Sequence, residues 1–382
     1  MRQTNRLKSA PLVYLLSSSM AVVSGCDKGG AGYSLQGVSQ SFSQSVATFS
    51  TKKIDILWVI DNSGSMQTSQ ANLSTNFTAF IKQFQTLGVD YHMAVTTTDA
   101  YLADPSFNNG LSAYNATNAK FRDGFTGTYG LGHSGVFVMT PANLTNSIFQ
   151  MNMSQGTAGS GDERAFSSVI SALNDTTNIA SGFRRPDAFL SIIMLSDEDD
   201  FSGTASFYDH FVSSTSPTYV GDHNYTVAAP ELQTVSYYVG LLDTYVGNHT
   251  NYSVSAMYAD TAACIATLNA TAPNPARIIA QRMPQMVAAT NGVAGSLCGD
   301  FATNLTNITT SVVEAASVFT LSTVPNVSTI SVTVNGVAVP NDPTNGWTYS
   351  ATANTISFRG TAVPATGAAI SVNFTPATVT NH

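Results

Sequence analysis

Charge is what this 382-residue chain has least of: Asp, Glu, Lys and Arg together make up 10% of it, and only 15 residues are basic. So sparse and unclustered a supply of cations excludes nucleic-acid binding, which needs Lys and Arg against the phosphates. Long apolar runs are missing too. The stretch Pro11–Val23 is short and interrupted by serines, whereas a bilayer crossing needs roughly 20 predominantly apolar residues. Six histidines, His92, His133, His210, His223, His249 and His382, fall at no metal-ligand spacing. "GHSGV" (132–136) breaks a Gly-x-Ser-x-Gly nucleophile elbow at Val136. "GTAGSG" (156–161) lacks the Gly-Lys-Ser/Thr of a phosphate loop. With no positioned nucleophile or base, the expectation is a protein that is not an enzyme.

Cysteine is nearly absent, at three residues. The first, Cys26, closes Val23-Ser24-Gly25-Cys26 after the basic start Arg2, Arg6, Lys8 and the short apolar run, the layout of a secretory signal over residues 1–25. This resembles a bacterial lipoprotein signal. The resemblance implies lipidation of Cys26 as the mature N-terminus, attachment to a membrane through that lipid, and a place in the bacterial cell envelope on the periplasmic or outer-surface side. Removing residues 1–25 takes away three positive charges and moves the formal charge from −8 to −11. Cys264 and Cys298 then remain, and in an oxidising compartment they are expected to form a disulfide, the alternative being two unrelated buried thiols. Residues 26–51, rich in Gly, Ser and Gln, read as a flexible tether reaching roughly 27 Å at about 5.5 Å × √n.

Beyond the tether, strands alternate with helices. "IDILWVI" and "FLSIIML" are near-continuous β-branched and apolar runs, the pattern of strands buried on both faces of a parallel sheet. Leu73, Phe77, Phe80, Ile81, Phe84 and Leu87 recur at helical spacing and Gly88 ends the run. Further helices are expected over 162–175, 231–247, 277–292 and 300–316, and strands over 90–99 and 252–260, with loops to about Gly135 and a short strand at "VFVM". Residues 52–316 thus read as an α/β domain with a doubly wound, mainly parallel sheet. From residue 317 to 382, "ISVTVNG", "GWTYSA", "TISFRG" and "AAISVNF" alternate between turn residues, which predicts a small all-β sandwich.

Both buried runs end in acid, at Asp61 and Asp197, and ligands of open α/β sheets sit outside the carboxyl ends of the strands. Asp61, Ser63, Ser65 and Asp197 offer only oxygen, which suits a hard divalent cation, Mg²⁺, Mn²⁺ or Ca²⁺. The competing reading of Asp61, Ser63 and Ser65 is a capped strand-to-helix turn. Glu198, Asp199 and Asp200 read as a solvated acidic turn, with a second Ca²⁺ site including Asp199 as the alternative.

"DILWVIDNSGSM" followed by "FLSIIMLSDEDD" resembles the von Willebrand factor type A family and its metal-ion-dependent adhesion site, and "GSGDE" with "GFRRPDAFLSIIMLSDEDD" also resembles a bacterial lipoprotein subgroup of that family. The resemblance implies that Ser63 and Ser65 bind the cation directly, that Asp61 and Asp197 act largely through water, and that a carboxylate of a protein partner fills the open position. It also implies a threonine from a middle loop. Here that loop reads "GTAGSGDERAF", and Ser160 takes the place by its spacing to the next helix, with Thr157, Asp162 and Glu163 as rivals. A structural scaffold, in which the cation only stabilises the fold, is the alternative function.

Overall fold

The computed structural model describes residues 42–46, 49, 52–107, 114–203, 232–270 and 279–377. The signal, Cys26 and most of the tether lie outside them. The first element is β1, Phe42–Val46. It is followed by β2 (Ile54–Ile60), α1 (Gln67–Thr75), α2 (Phe77–Leu87) and β3 (Tyr91–Thr97). A small hairpin, β4 (Gly124–Phe125) and β5 (Gly132–His133), leads to α3 (Asn146–Met153), α4 (Ala165–Asn174), α5 (Thr176–Ala180) and β6 (Phe189–Leu195). Then come α6 (Val235–Val246), β7 (Tyr252–Tyr258), α7 (Ala262–Asn269), α8 (Arg282–Ala289), β8 (Ala294–Ser296) and α9 (Phe301–Ala316). Six short strands close the chain: β9 (Val318–Thr320), β10 (Ser331–Val334), β11 (Val337–Val339), β12 (Trp347–Ser350), β13 (Thr355–Phe358) and β14 (Ile370–Phe374).

A five-stranded sheet in the order β3-β2-β6-β7-β8, parallel throughout, carries the α/β part. Its period of two sends Ile54, Ile56, Trp58 and Ile60 into one apolar layer with Phe80, Phe84 and Phe149, and Leu57 and Val59 into another with Phe166, Val169 and Met286. Burial on both faces is why these strands read as unbroken apolar runs. Asp55 interrupts that run at no exposure, and its charge is met by Arg184 at 3.0 Å and Arg185 at 2.8 Å at the amino edge of the sheet. The single helix expected after Ser65 is two, broken at Asn76, which ends α1 and begins α2. "VFVM" is no strand; only Met139 bridges to Met93. Helices α3 and α7, built from short and weakly periodic sequence, escape the sequence reading.

The last six strands, joined by β1, form two antiparallel sheets, β1-β14-β10-β11 and β12-β13-β9. Val332, Ile370, Val372 and Phe374 from the first and Trp347, Ile356 and Phe358 from the second are all buried, in one apolar cluster with the α2 and α9 side of the parallel sheet. The tether reading needs correction here. Phe42–Val46 pairs along its whole length with β14, from Phe42 opposite Phe374 to Val46 opposite Ile370, and Phe49 continues the contact through backbone bonds to Gly367 and Ala368. Serine-rich composition imitates a linker, but a ladder partner at the other end of the chain makes this segment a strand. The α/β part is therefore inserted between β1 and the strands β1 completes.

Among the described residues, no helix is long and apolar enough to cross a membrane.

Candidate metal centre

Register puts the two acid-tipped strands side by side. Ile60 pairs with Leu195, and the Asp61 amide donates to the Leu195 carbonyl at 2.9 Å, so Asp61 and the Ser196–Asp197 pair leave the sheet together. After β2 the chain turns one way to β3, and after β3 it crosses to β6 on the other flank of β2. The site thus sits where strand order reverses, the crevice in which open α/β sheets take ligands.

The turn after β2 is tied by its own polar groups. The Ser63 amide donates to Asp61 Oδ1 at 2.8 Å, and Ser196 Oγ donates to Asp61 Oδ2 at 2.7 Å, so both Asp61 oxygens are held. Ser63 and Ser65 hydroxyls lie 3.3 Å apart, and Ser65 Oγ donates to Asp197 Oδ1 at 3.0 Å. Asp61, Ser63, Ser65 and Asp197 are therefore one connected group. Ser63 accounts for a turn tied to Asp61, but not for the link across to β6, which a capped turn alone does not need. Gln70, one helical turn into α1, fastens the support: its amide donates to the Asp61 carbonyl at 2.7 Å and to Gly156 at 2.9 Å, and accepts from the Gln155 amide at 2.9 Å.

The middle loop lies against this turn. Gly159 donates to the Asn62 carbonyl at 2.8 Å, and a Cβ on Gly159 would come within 2.3 Å of the Asn62 side chain, so only glycine lets the loop this close. Neither Thr157 nor Ser160 is hydrogen-bonded to Asp61, Ser63, Ser65 or Asp197. Ser160 Oγ instead meets the Tyr101 hydroxyl at 3.3 Å and the Asp162 amide at 3.1 Å. Asp162 is ion-paired with the fully buried Arg164 at 2.8 Å, and that guanidinium lies about 5 Å over the rings of Tyr101 and Phe107. Glu163 is the loop residue turned inward. It is 1% exposed, with the Glu198 carboxyl for a neighbour.

The run Asp197–Asp200 is no solvated turn. Asp199 is 1% exposed and accepts from the amides of Gln281, Arg282 and Met283 at 2.9–3.1 Å, holding the first turn of α8. Asp200 is fully buried against Arg282 and accepts from the Phe166 amide. Asp199 is therefore engaged in holding the start of α8. That division of labour is invisible in the sequence, because the amides that claim Asp199 lie 82 residues or more away. Ser196 and Gln70 were likewise missed; a serine directly before Asp197 was the available signal for one.

Electrostatics sharpen the picture. Burial first, then the Asp197 carboxylate, push Asp61 up to about 7, against the bonds from Ser196 and Ser63. Burial, followed by Glu198, Asp61 and Asp197, raises Glu163 well above the ordinary carboxylate range. Carboxylates collected with so little countercharge favour a cation. Among the described residues no three His, Cys, Asp or Glu side chains converge as a ready-made metal cage. The donor set fits a cation held by the Ser63 and Ser65 hydroxyls, with carboxylates beside it, rather than one held by carboxylates alone.

No family profile matches the chain, and no curated protein does. Solved structures do resemble it. Proximal thread matrix protein 1 from the mussel byssus is 12% identical over 72% of this chain and 51% of its own, with a TM-score of 0.36. The same protein with a zinc-occupied MIDAS motif gives 0.35 over 73% of this chain and 52% of its own, at 12% identity. The pilus adhesin SpaC of Lactobacillus rhamnosus GG, in an open conformation, is 10% identical over 88% of this chain and 42% of its own, at 0.35. The chain spans about half the length of the solved proteins it matches. Likeness at this level leaves the function to the geometry of the site.

Proposed function

We propose that this chain is a lipid-anchored protein of the cell envelope whose α/β part is a von Willebrand factor A-type domain. It binds a divalent cation at Ser63 and Ser65, with Asp61 and Asp197 behind them, and captures an acidic group of a protein partner there. The observation that carries the reading is the hydroxyl-to-carboxylate chain from Ser63 through Ser65 to Asp197, which joins two separate strand ends at the switch point. When bound, the cation supplies an uncancelled positive charge that an external carboxylate can meet. Neutral serine hydroxyls leave that charge largely intact. Asp61, held at both oxygens by Ser63 and Ser196, and Asp197, held by Ser65, orient waters rather than neutralise the ion.

A second reading is supported by Glu163: a buried carboxylate beside Glu198, Asp61 and Asp197 would fill the open position from within and make the cation a structural staple. A pull-down from envelope extract, run with Mg²⁺ and with chelator, tests the first reading. Metal-dependent recovery of a specific partner, lost in Ser63→Ala, supports it. A cation that binds but never alters partner recovery supports the staple.

A further inference from the structure

Beside the proposed cation site runs a groove of about 340 Å³, between α1 and the β4–β5 hairpin, walled by Gln67, Ala71, Thr75, Gln150, Tyr129 and Leu131. No charged side chain lines it. Its two large apolar groups are turned outward: Tyr129 is 52% exposed and Leu131 58%. Tyr129 holds φ 65°, a left-handed conformation that a bulky residue adopts only when its surroundings impose it.

The surroundings do impose it. The Gly130 amide bonds back to Gly127 at 3.0 Å, and Gly130 bridges to Gln155 in the middle loop. Any Cβ on Gly130 would strike the Phe125 carbonyl at 2.0 Å, and one on Gly156 the Phe125 ring at 2.3 Å. Asp123 clamps the far side through His133 at 2.8 Å and the Gly135 amide at 3.2 Å. The hairpin is thus a built platform presenting two apolar groups, not a loose loop that happens to expose them.

That platform is continuous with the cation site. Gln67 stands two residues after Ser65, and Gln70, on the groove wall, is the residue that carries the Asp61 carbonyl and Gly156. Ser65 lies two residues before α1, and from Gln67 to Ala71 the helix rises about 6 Å, a span that about two residues of extended peptide cover. We infer that the groove receives a large apolar side chain of the partner, two to four residues from the carboxylate that meets the cation. The ligand class is therefore an extended acidic peptide with an aromatic or long aliphatic neighbour. This rests on the cation-site reading. An uncharged groove beside a single positive focus favours that combination over a polyacidic segment, whose further charges would meet no cation there.

The test is a bead-displayed heptapeptide library with one fixed Asp or Glu and all other positions random, sorted on the full chain with Mn²⁺ and with chelator. Expected are Mn²⁺-dependent binders enriched in Phe, Tyr, Trp, Leu or Met two to four positions from the acid. Their affinity should drop about tenfold or more in Leu131→Ser and in Tyr129→Gly, as loss of one buried apolar contact implies, while Mn²⁺ affinity by calorimetry is unchanged. Mn²⁺-dependent binders without apolar preference, or indifferent to both variants, overturn the groove and leave the cation site standing. Absence of any Mn²⁺-dependent binder overturns both. A wild-type dimer abolished by Leu131→Ser would mean that a second copy, not a peptide, covers the face.

Discussion

Ser65 donates its hydroxyl hydrogen to Asp197 at 3.0 Å across 132 residues of sequence, and this bond joins the turn after β2 to the end of β6. A turn that only capped α1 would have no use for it. N-cap bonds reach two or three residues into the helix, and here Met66, at the start of α1, makes no side-chain cap bond. Both strand ends are instead directed at one point in the crevice.

The acidic run should divide by function on mutation. Asp199→Ala removes the acceptor for three amides at the start of α8 and should cost about 1–2 kcal/mol of stability, with cation affinity unchanged. Asp197→Ala should do the opposite, weakening the cation about 10–100-fold with little change in unfolding midpoint. Urea unfolding beside metal titration reads both. Equal loss of affinity in the two variants would place Asp199 in the site after all.

Stability should fall as pH rises when no cation is present. Burial and the Asp197 charge raise Asp61 to about 7, above the ordinary carboxylate value of about 4. An acid raised on folding stabilises fully below its unfolded value, and the contribution is lost as pH climbs through the folded one. The melting temperature of chelator-treated protein should therefore decrease from pH 5 to pH 8. Millimolar Mg²⁺ should recover the loss at pH 8 and do little at pH 5. A melting temperature independent of pH and Mg²⁺ over this range would contradict the assignment.

Gln70→Ala removes one side chain that satisfies two carbonyls and one amide, all buried. Leaving such groups unpaired costs about 1–3 kcal/mol, and because the Asp61 carbonyl and the middle loop lose their common support, cation affinity should drop with it. Gln70→Glu keeps the shape and one acceptor. Differential scanning calorimetry with and without Mg²⁺ should show a smaller cation-induced rise for both variants than for the wild type. A full rise would limit Gln70 to packing.

Cys264 and Cys298 are bonded, with Cα atoms 5.5 Å apart and 34 residues of separation. On the chain-entropy account that closure contributes about 3–4 kcal/mol. Cys298→Ser should lower stability by that order while leaving the cation site intact, since the bond ties α7 to the loop before α9. Two titratable thiols in the oxidised, denatured wild type would rule the bond out.

Sequence made the frame of this molecule legible and hid part of its wiring. Ile54–Ile60 and Phe189–Leu195 could be read as doubly buried parallel strands because their surroundings are apolar on both sides, so every position is constrained. Asp61, Ser63, Ser65 and Asp197 stood out because polar groups follow directly on those runs. The rest depended on partners far away in sequence. β1 is a strand only through β14, Asp199 is a cap only through α8, and Glu163 is buried only because the loop turns that carboxylate inward. Composition and spacing carry no record of such pairings.

The central claim is that Ser63, Ser65, Asp61 and Asp197 hold a divalent cation. Calorimetric titration of Mg²⁺, Mn²⁺ and Ca²⁺ into the wild type, Ser63→Ala and Asp197→Ala tests it most directly. Expected is saturable binding of at least one of these cations to the wild type, weakened at least tenfold in each variant, with far-UV circular dichroism unchanged. Equal affinity in all three proteins, or no binding at millimolar cation in the wild type, would reduce the motif to a hydrogen-bonded turn.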